Sequence, residues 1–228
     1  MSEYKDYGYS NAERTHAHAY IQNKLLAMLS STKNKSILDL GCGNGSLARF
    51  LLEKGFNVYG TDASEKGITI AKERHPDRFA LQDLSSDDLP PILAEIKFDT
   101  IISTEVIEHL YDPRKFIEFA KCTLMKDGGG ELILSTPYHG YLKYLALAVS
   151  GKMDAHLGPL WDGGHIKFWS KSSLTQLLEE HEFTVTGFEG CGRFPYLWKS
   201  MLIRARIASP RPSPKEREEN AFDNIERL

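Results

Sequence analysis

Cysteine is scarce. Cys42, Cys122 and Cys191 are the only three in 228 residues. Their odd number and unrelated spacings exclude a disulfide framework and a zinc pattern, and a reducing compartment is the simplest reading. No apolar run approaches the ~18–20 residues needed to span a bilayer. The opening Met1-Ser2-Glu3-Tyr4-Lys5-Asp6 lacks the basic start and apolar core of a secretory signal, so a cytoplasmic location is expected. Internal repeats and long low-complexity tracts are missing. Charge of one sign is also lacking: the net charge is -3 and the pI about 6.2, which argues against an obligate nucleic-acid binder and leaves a local basic patch open. What is present, 41% hydrophobic and 26% charged residues, is ordinary for a globular protein and excludes wholesale disorder and fibrous architecture. The length suits one domain, or one domain carrying an insertion.

Apolar periodicity then sets the organisation. Ile21, Leu25, Leu26 and Leu29 recur at helical spacing from about Ala17, predicting an amphipathic cap helix within residues 1–30. Strands and helices alternate after it. Strands are predicted at Ser36–Leu40, Asn57–Thr61, Phe79–Leu81, Phe98–Ser103 and Glu131–Ser135, the last entered through Gly128-Gly129-Gly130. Helices are predicted at Ser46–Glu53, at Ser64–Arg74 with Ser64 as N-cap, and at Pro113–Leu124 with Pro113 in the first turn. This rhythm predicts an α/β fold, an open and mostly parallel sheet of seven strands with helices on both faces. It breaks after Pro137. Tyr138–Ser150 reads as an inserted helix, followed by a Gly/His/Trp-rich loop to Trp169. A capped helix at Ser172–His181 and strands at Phe183–Glu189 and Ser200–Ile207 complete the fold by about residue 208. The proline-rich segment 209–228 is expected to be a flexible tail.

Ile37-Leu38-Asp39-Leu40-Gly41-Cys42-Gly43-Asn44-Gly45 places a glycine turn between the first strand and its helix. Glycine there lets backbone approach a ligand and adopt positive φ. Asp62 follows about 20 residues on, where a carboxylate reaches ribose hydroxyls, and Asp83 sits where another reaches an adenine amino group. The spacing departs from Gly-x-Gly-x-x-Gly, and Asp39 would repel a pyrophosphate but attract a cationic ligand. Asp39 through Gly45 resembles the first motif of class I S-adenosylmethionine-dependent methyltransferases. The resemblance covers roughly residues 15–208 and implies a Rossmann-like fold. It implies S-adenosylmethionine as cofactor, lined by Asp39, Gly41, Cys42, Gly43, Asn44, Asp62, Ala63, Asp83, Leu84 and Thr104. Cys42 reads as a small residue that fits the loop.

A second constellation follows the fourth strand: Ser103-Thr104-Glu105-Val106-Ile107-Glu108-His109-Leu110. If a helical turn starts at Glu105, positions i, i+3 and i+4 share a face, and two carboxylates meet an imidazole. Such carboxylates repel unless a cation lies between them, so either a divalent metal binds or the acids sit in solvent at a helix start. Glu105-x-x-Glu108-His109 resembles the metal-binding motif of ubiquinone-biosynthesis O-methyltransferases and of small-RNA 3'-terminal 2'-O-methyltransferases. That resemblance implies Mg²⁺, Mn²⁺, Fe²⁺, Co²⁺ or Zn²⁺ on Glu105, Glu108, His109 and His165. His165 comes from Gly164-His165-Ile166-Lys167-Phe168-Trp169-Ser170, with His139 and His156 as rivals for its place. Glu105, His109 and His165 are the candidate catalytic residues, and without a metal either histidine is the general base.

Residues 138–169 are the expected substrate lid. Tyr138–Val149, with three tyrosines and one lysine, suits either a helix packed on the body or peripheral membrane contact, as in the ubiquinone group. Trp161, Asp162, Trp169, Arg193, Phe194, Tyr196 and Trp198 offer an aromatic wall. Tyr9, Arg14, His16 and Tyr20 are candidates to fold over the cofactor, with Arg14 on its carboxylate. The leading reading is O-methylation of a small-molecule hydroxyl, in a catechol or quinol, a polyphenol or a sugar-like diol. Methylation of RNA 3' ends and a non-catalytic nucleoside-binding protein are the alternatives.

Overall fold

The structure, a computed structural model, describes residues 8–13, 18–30, 34–84, 88–125, 130–161 and 163–207. Tyr4, Tyr7, Arg14, His16, Gly128, Gly129, Asp162 and the tail 209–228 lie outside the described residues. Seven strands form one sheet: β1 (Ile37–Leu40), β2 (Val58–Asp62), β3 (Phe79–Leu81), β4 (Thr100–Thr104), β5 (Glu131–Pro137), β6 (Phe183–Cys191) and β7 (Ser200–Ile207). Their order is β3-β2-β1-β4-β5-β7-β6, and β7 runs antiparallel to both of its neighbours. The helices are α1 (His18–Met28), α2 (Ser46–Glu53), α3 (Glu65–Lys72), α4 (Pro113–Met125), α5 (Tyr141–Val149), α6 (Met153–Leu157) and α7 (Lys171–Glu180).

Strand alternation divides the core between the two faces of the sheet. Leu38, Ile101, Leu132, Leu134 and Ile203 point to one face, where Phe116, Ile117 and Ala120 of α4 and Leu174 and Leu178 of α7 cover them. Ile37, Ile102, Ile133 and Leu202 point to the other, against Ile21 and Leu25 of α1, Leu47 and Leu51 of α2 and Ile68 of α3. β1, β4 and β5 are buried along their whole length, with apolar centres and buried polar residues gathered mostly towards their ends. Polar caps start the helices: the Ser64 hydroxyl accepts from the Gly67 N–H, and Asp112 accepts from Lys115. At α7, Ser170 and Ser173 form a reciprocal capping box.

Several details differ from the sequence expectation. β4 runs one residue further, to Thr104, and Glu105 turns into the left-handed region with φ 56°. The helical turn expected from Glu105 is a 3-10 turn over Ile107–His109. The loop after the insertion carries the short helix α6, and α5 starts three residues later than predicted, after Gly140. α5 is inverted: Tyr141, Leu142, Leu145 and Val149 face outward, and Lys143 is its buried side chain.

Candidate functional site

Parallel strands place the carboxyl ends of β1, β2, β4 and β5 at one edge of the sheet, and antiparallel β7 brings Ser200 to it, opposite Pro137. The glycine loop occupies the β1 end of that edge. Gly41 and Gly43 both have positive φ, 80° and 55°. A Cβ on Gly43 would collide with the Tyr9 ring, so residues 8–13 lie directly on the loop. The Asn44 amide donates to the carbonyls of Asn11 and Glu13, each at 2.8 Å, and Arg49 donates to the carbonyl of Ala12. Asp62, at the end of β2, accepts from the Gly43 N–H at 2.7 Å and the Ser64 N–H at 2.8 Å. It thereby pins the loop to β2. Cys42 packs against Gly60 in β2. Ala63 and Leu84 are half-buried, Thr104 is buried, and Asp83 is exposed.

Asp39 sits at the centre. It is 1% exposed, and neither carboxylate oxygen has a hydrogen-bond partner. Burial, with the nearby charge of Asp62, pushes its carboxyl up to about 8. A buried carboxylate that no protein donor answers is suited to an incoming cation.

The β4 end carries the second group. One Glu108 oxygen and one ring nitrogen each of His109 and His165 lie within 4.8 Å of one another. Glu108 is wholly buried. Neither of its oxygens meets hydrogen-bond geometry with a partner, although the Thr136 hydroxyl lies close enough to favour the ionised form slightly. Burial and then the charge of Glu105 push it well above the usual carboxylate range. His165 is delivered by backbone bonds: the N–H groups of Ile166 and Lys167 both donate to the Glu108 carbonyl, at 2.9 and 3.0 Å. The rings of His109 and His165 are 4.9 Å apart, and Trp161 meets both edge-on. Burial lowers both imidazoles; His165, with His109 beside it, falls to about 4.

Glu105 stands outside this compact group. Its carboxylate accepts from the hydroxyls of Ser135, at 2.8 Å, and Ser200, at 3.2 Å. Burial raises it to about 7 despite those bonds and the charge of Lys143. Neither serine stood out in the sequence, because β7 reaches Glu105 only through the sheet. Lys143 stood out only as a polar residue in an apolar stretch. Its ammonium is buried and donates to the Tyr138 carbonyl at 2.9 Å, and burial lowers it to about 8.

Comparison with known proteins gives three findings. A protein family described as a methyltransferase domain matches residues 13–187. The ubiquinone biosynthesis O-methyltransferase of Coxiella burnetii (strain Dugway 5J108-111) is 29% identical over 160 residues, 70% of this chain and 68% of that protein. Its counterpart in Dinoroseobacter shibae is 33% identical over 65% of this chain and 59% of that one. Among solved structures, magnesium protoporphyrin IX methyltransferase from Synechocystis PCC 6803 with bound SAH superposes with a TM-score of 0.62 at 23% identity, covering 85% and 84% of the two chains. The methyltransferase domain of bacterial CtHen1-CN gives 0.60 at 22% identity, covering 83% and 99%. These structural likenesses concern the fold.

Proposed function

Because the chain belongs to the class I S-adenosylmethionine-dependent methyltransferases, we propose that it methylates a hydroxyl of a small-molecule acceptor with the help of a divalent metal. The observation that carries the reading is the Glu108 carboxylate, wholly buried and short of partners, with His109 and His165 drawn up beside it. Two nitrogens and an oxygen suit Mn²⁺, Fe²⁺, Co²⁺ or Zn²⁺, and Mg²⁺ with added water. The names of the curated relatives support oxygen as the methylated atom.

The roles divide along the sheet edge. Asp39 receives the cofactor's ammonium, and its burial makes that charge pairing strong. Asp62 holds the glycine loop in shape and borders the ribose, with Gly41, Cys42, Gly43, Asn44, Ala63, Asp83, Leu84 and Thr104 around the rest of the nucleoside. The sulfonium of S-adenosylmethionine supplies the electrophilic methyl group. Glu108, His109 and His165 would hold the metal, with Glu105 beside them. A divalent cation there would supply acidity to an acceptor hydroxyl at neutral pH. Only without a metal would His109 or His165, kept neutral by burial, serve as general base, because a ring nitrogen that binds a metal has no lone pair left for a proton. Trp161 meets both rings edge-on at the mouth of the group.

Exhaustive chelation tests the metal. It should abolish methyl transfer to catechol and to sugar diols, leave S-adenosylhomocysteine binding intact, and be reversed by Mg²⁺, Mn²⁺ or Co²⁺. Full activity in the chelated protein would replace the metal by a histidine base. Short RNA included among the acceptors separates methylation of RNA ends.

A further inference from the structure

The insertion brings more polar groups to the same sheet edge, and the roles assigned above leave them without a task. His139, at the end of β5, is 7% exposed. Its N–H donates to the Trp169 carbonyl at 3.1 Å, its Nδ1 lies 2.7 Å from the Tyr144 hydroxyl, and its ring meets Phe168 edge-on. These contacts fix the ring and leave Nε2 buried without a partner. His156, from α6, stands 6.0 Å away ring to ring, and its Nε2 is likewise buried and unpartnered. Burial holds both rings neutral, His139 at about 3. Unpaired buried nitrogens are costly, and two in adjacent rings mark a place that a ligand group completes.

Charge narrows the choice of group. A cation would meet Lys143, whose charge is felt by His139, His156 and His165. An anion would approach the edge that carries Glu105 and Glu108. A neutral hydroxyl fits best, because Nε2 is a donor in one imidazole tautomer and an acceptor in the other, and a hydroxyl answers either. Tyr144 and Phe168 add ring faces suited to an aryl or sugar ring.

We propose that His139 and His156 bind a further hydroxyl of the acceptor, beyond those at the Glu108, His109 and His165 group, so that the acceptor carries at least three hydroxyls. The inference rests on the O-methyltransferase reading. His139 and His156 are binding residues that set specificity, on elements added to the sheet after β5.

Two matched pairs test it, with Mg²⁺ present. Catechol is compared with pyrogallol for an aryl acceptor, and cis-1,2-cyclohexanediol with cis,cis-1,2,3-cyclohexanetriol for a sugar-like ring. Rates are measured with S-adenosylmethionine, and binding by calorimetry with S-adenosylhomocysteine. The triol of one pair should be favoured about tenfold over its diol, and His139→Ala or His156→Ala should erase that preference while changing the diol by less than about twofold. His139→Gln, which keeps a polar atom near Nε2, should restore part of it, and S-adenosylhomocysteine affinity should stay constant throughout. An equal loss for diol and triol, no loss for either, or a wild-type protein that binds S-adenosylhomocysteine but no triol overturns the inference. Triols that bind through His139 yet yield no methylated product overturn the O-methyltransferase reading instead.

Discussion

At the scale of single residues, Asp39 gives the clearest consequence. Its carboxyl lies at about 8 in the folded protein against 3.8 in the unfolded chain. The folded state therefore holds the proton more tightly, and stability from this group is greatest below about pH 4 and erodes as pH climbs towards 8. The erosion amounts to at most about 6 kcal/mol. The cofactor-free protein should lose melting temperature across that window, and Asp39→Asn should flatten the slope. Pairing with a cationic cofactor ionises the carboxyl, so binding at pH 7 should release a proton. Calorimetry in buffers of different ionisation enthalpy measures it, and buffer-independent heats would contradict it. Asp62→Ala is expected to act on the loop as well as on the ligand. It deletes the acceptor of two backbone N–H groups, each charge-assisted bond being worth about 1.5–3 kcal/mol. Cofactor affinity should drop by at least about tenfold, with a measurable fall in melting temperature.

Among the elements, the helix starts are governed by local rules. Ser64 and Pro113 are legible because a cap is a matter of three or four neighbouring residues. The capping box at Ser170 and Ser173 behaves likewise. Ser170→Ala should cost about 1 kcal/mol and lower the melting temperature by about 2–4 °C, read by thermal unfolding. Spacing misleads at Glu105–His109, because i, i+3, i+4 places residues on one face only inside a helix. β4 persists to Thr104 on its ladder with β5, and Glu105 leaves it with positive φ, so its carboxylate goes to Ser135 and Ser200 while Glu108 and His109 join His165. α5 is settled by another rule. Its apolar composition suits either burial or an outward apolar face, and the polar edge beneath it takes Lys143 and leaves Leu142 and Leu145 in the open.

For the molecule as a whole, the central strands carry the stability. Ile133 of β5 is fully buried, pairs in register with Ile102 of β4 and Arg204 of β7, and shares with Ile102 and Leu202 the core on the α1–α2 side of the sheet. Ile133→Ala should cost about 2–5 kcal/mol and shift the urea midpoint downward with little change in slope. The sequence by itself determined the α/β class, the central strands, the glycine loop with Asp39 and Asp62 on successive strands, and the family resemblance. These features depend on periodicity, positive φ at glycine and short spacings, which act over a few residues. Tertiary structure decided which side chains meet. Ser200 reaches Glu105 through the antiparallel pairing of β7, His165 is seated by backbone bonds to the Glu108 carbonyl, and His139 faces His156 across the insertion. Those meetings join residues 17 to 95 positions apart in the chain. Loop closure and packing bring such distant groups together, and no local propensity encodes that.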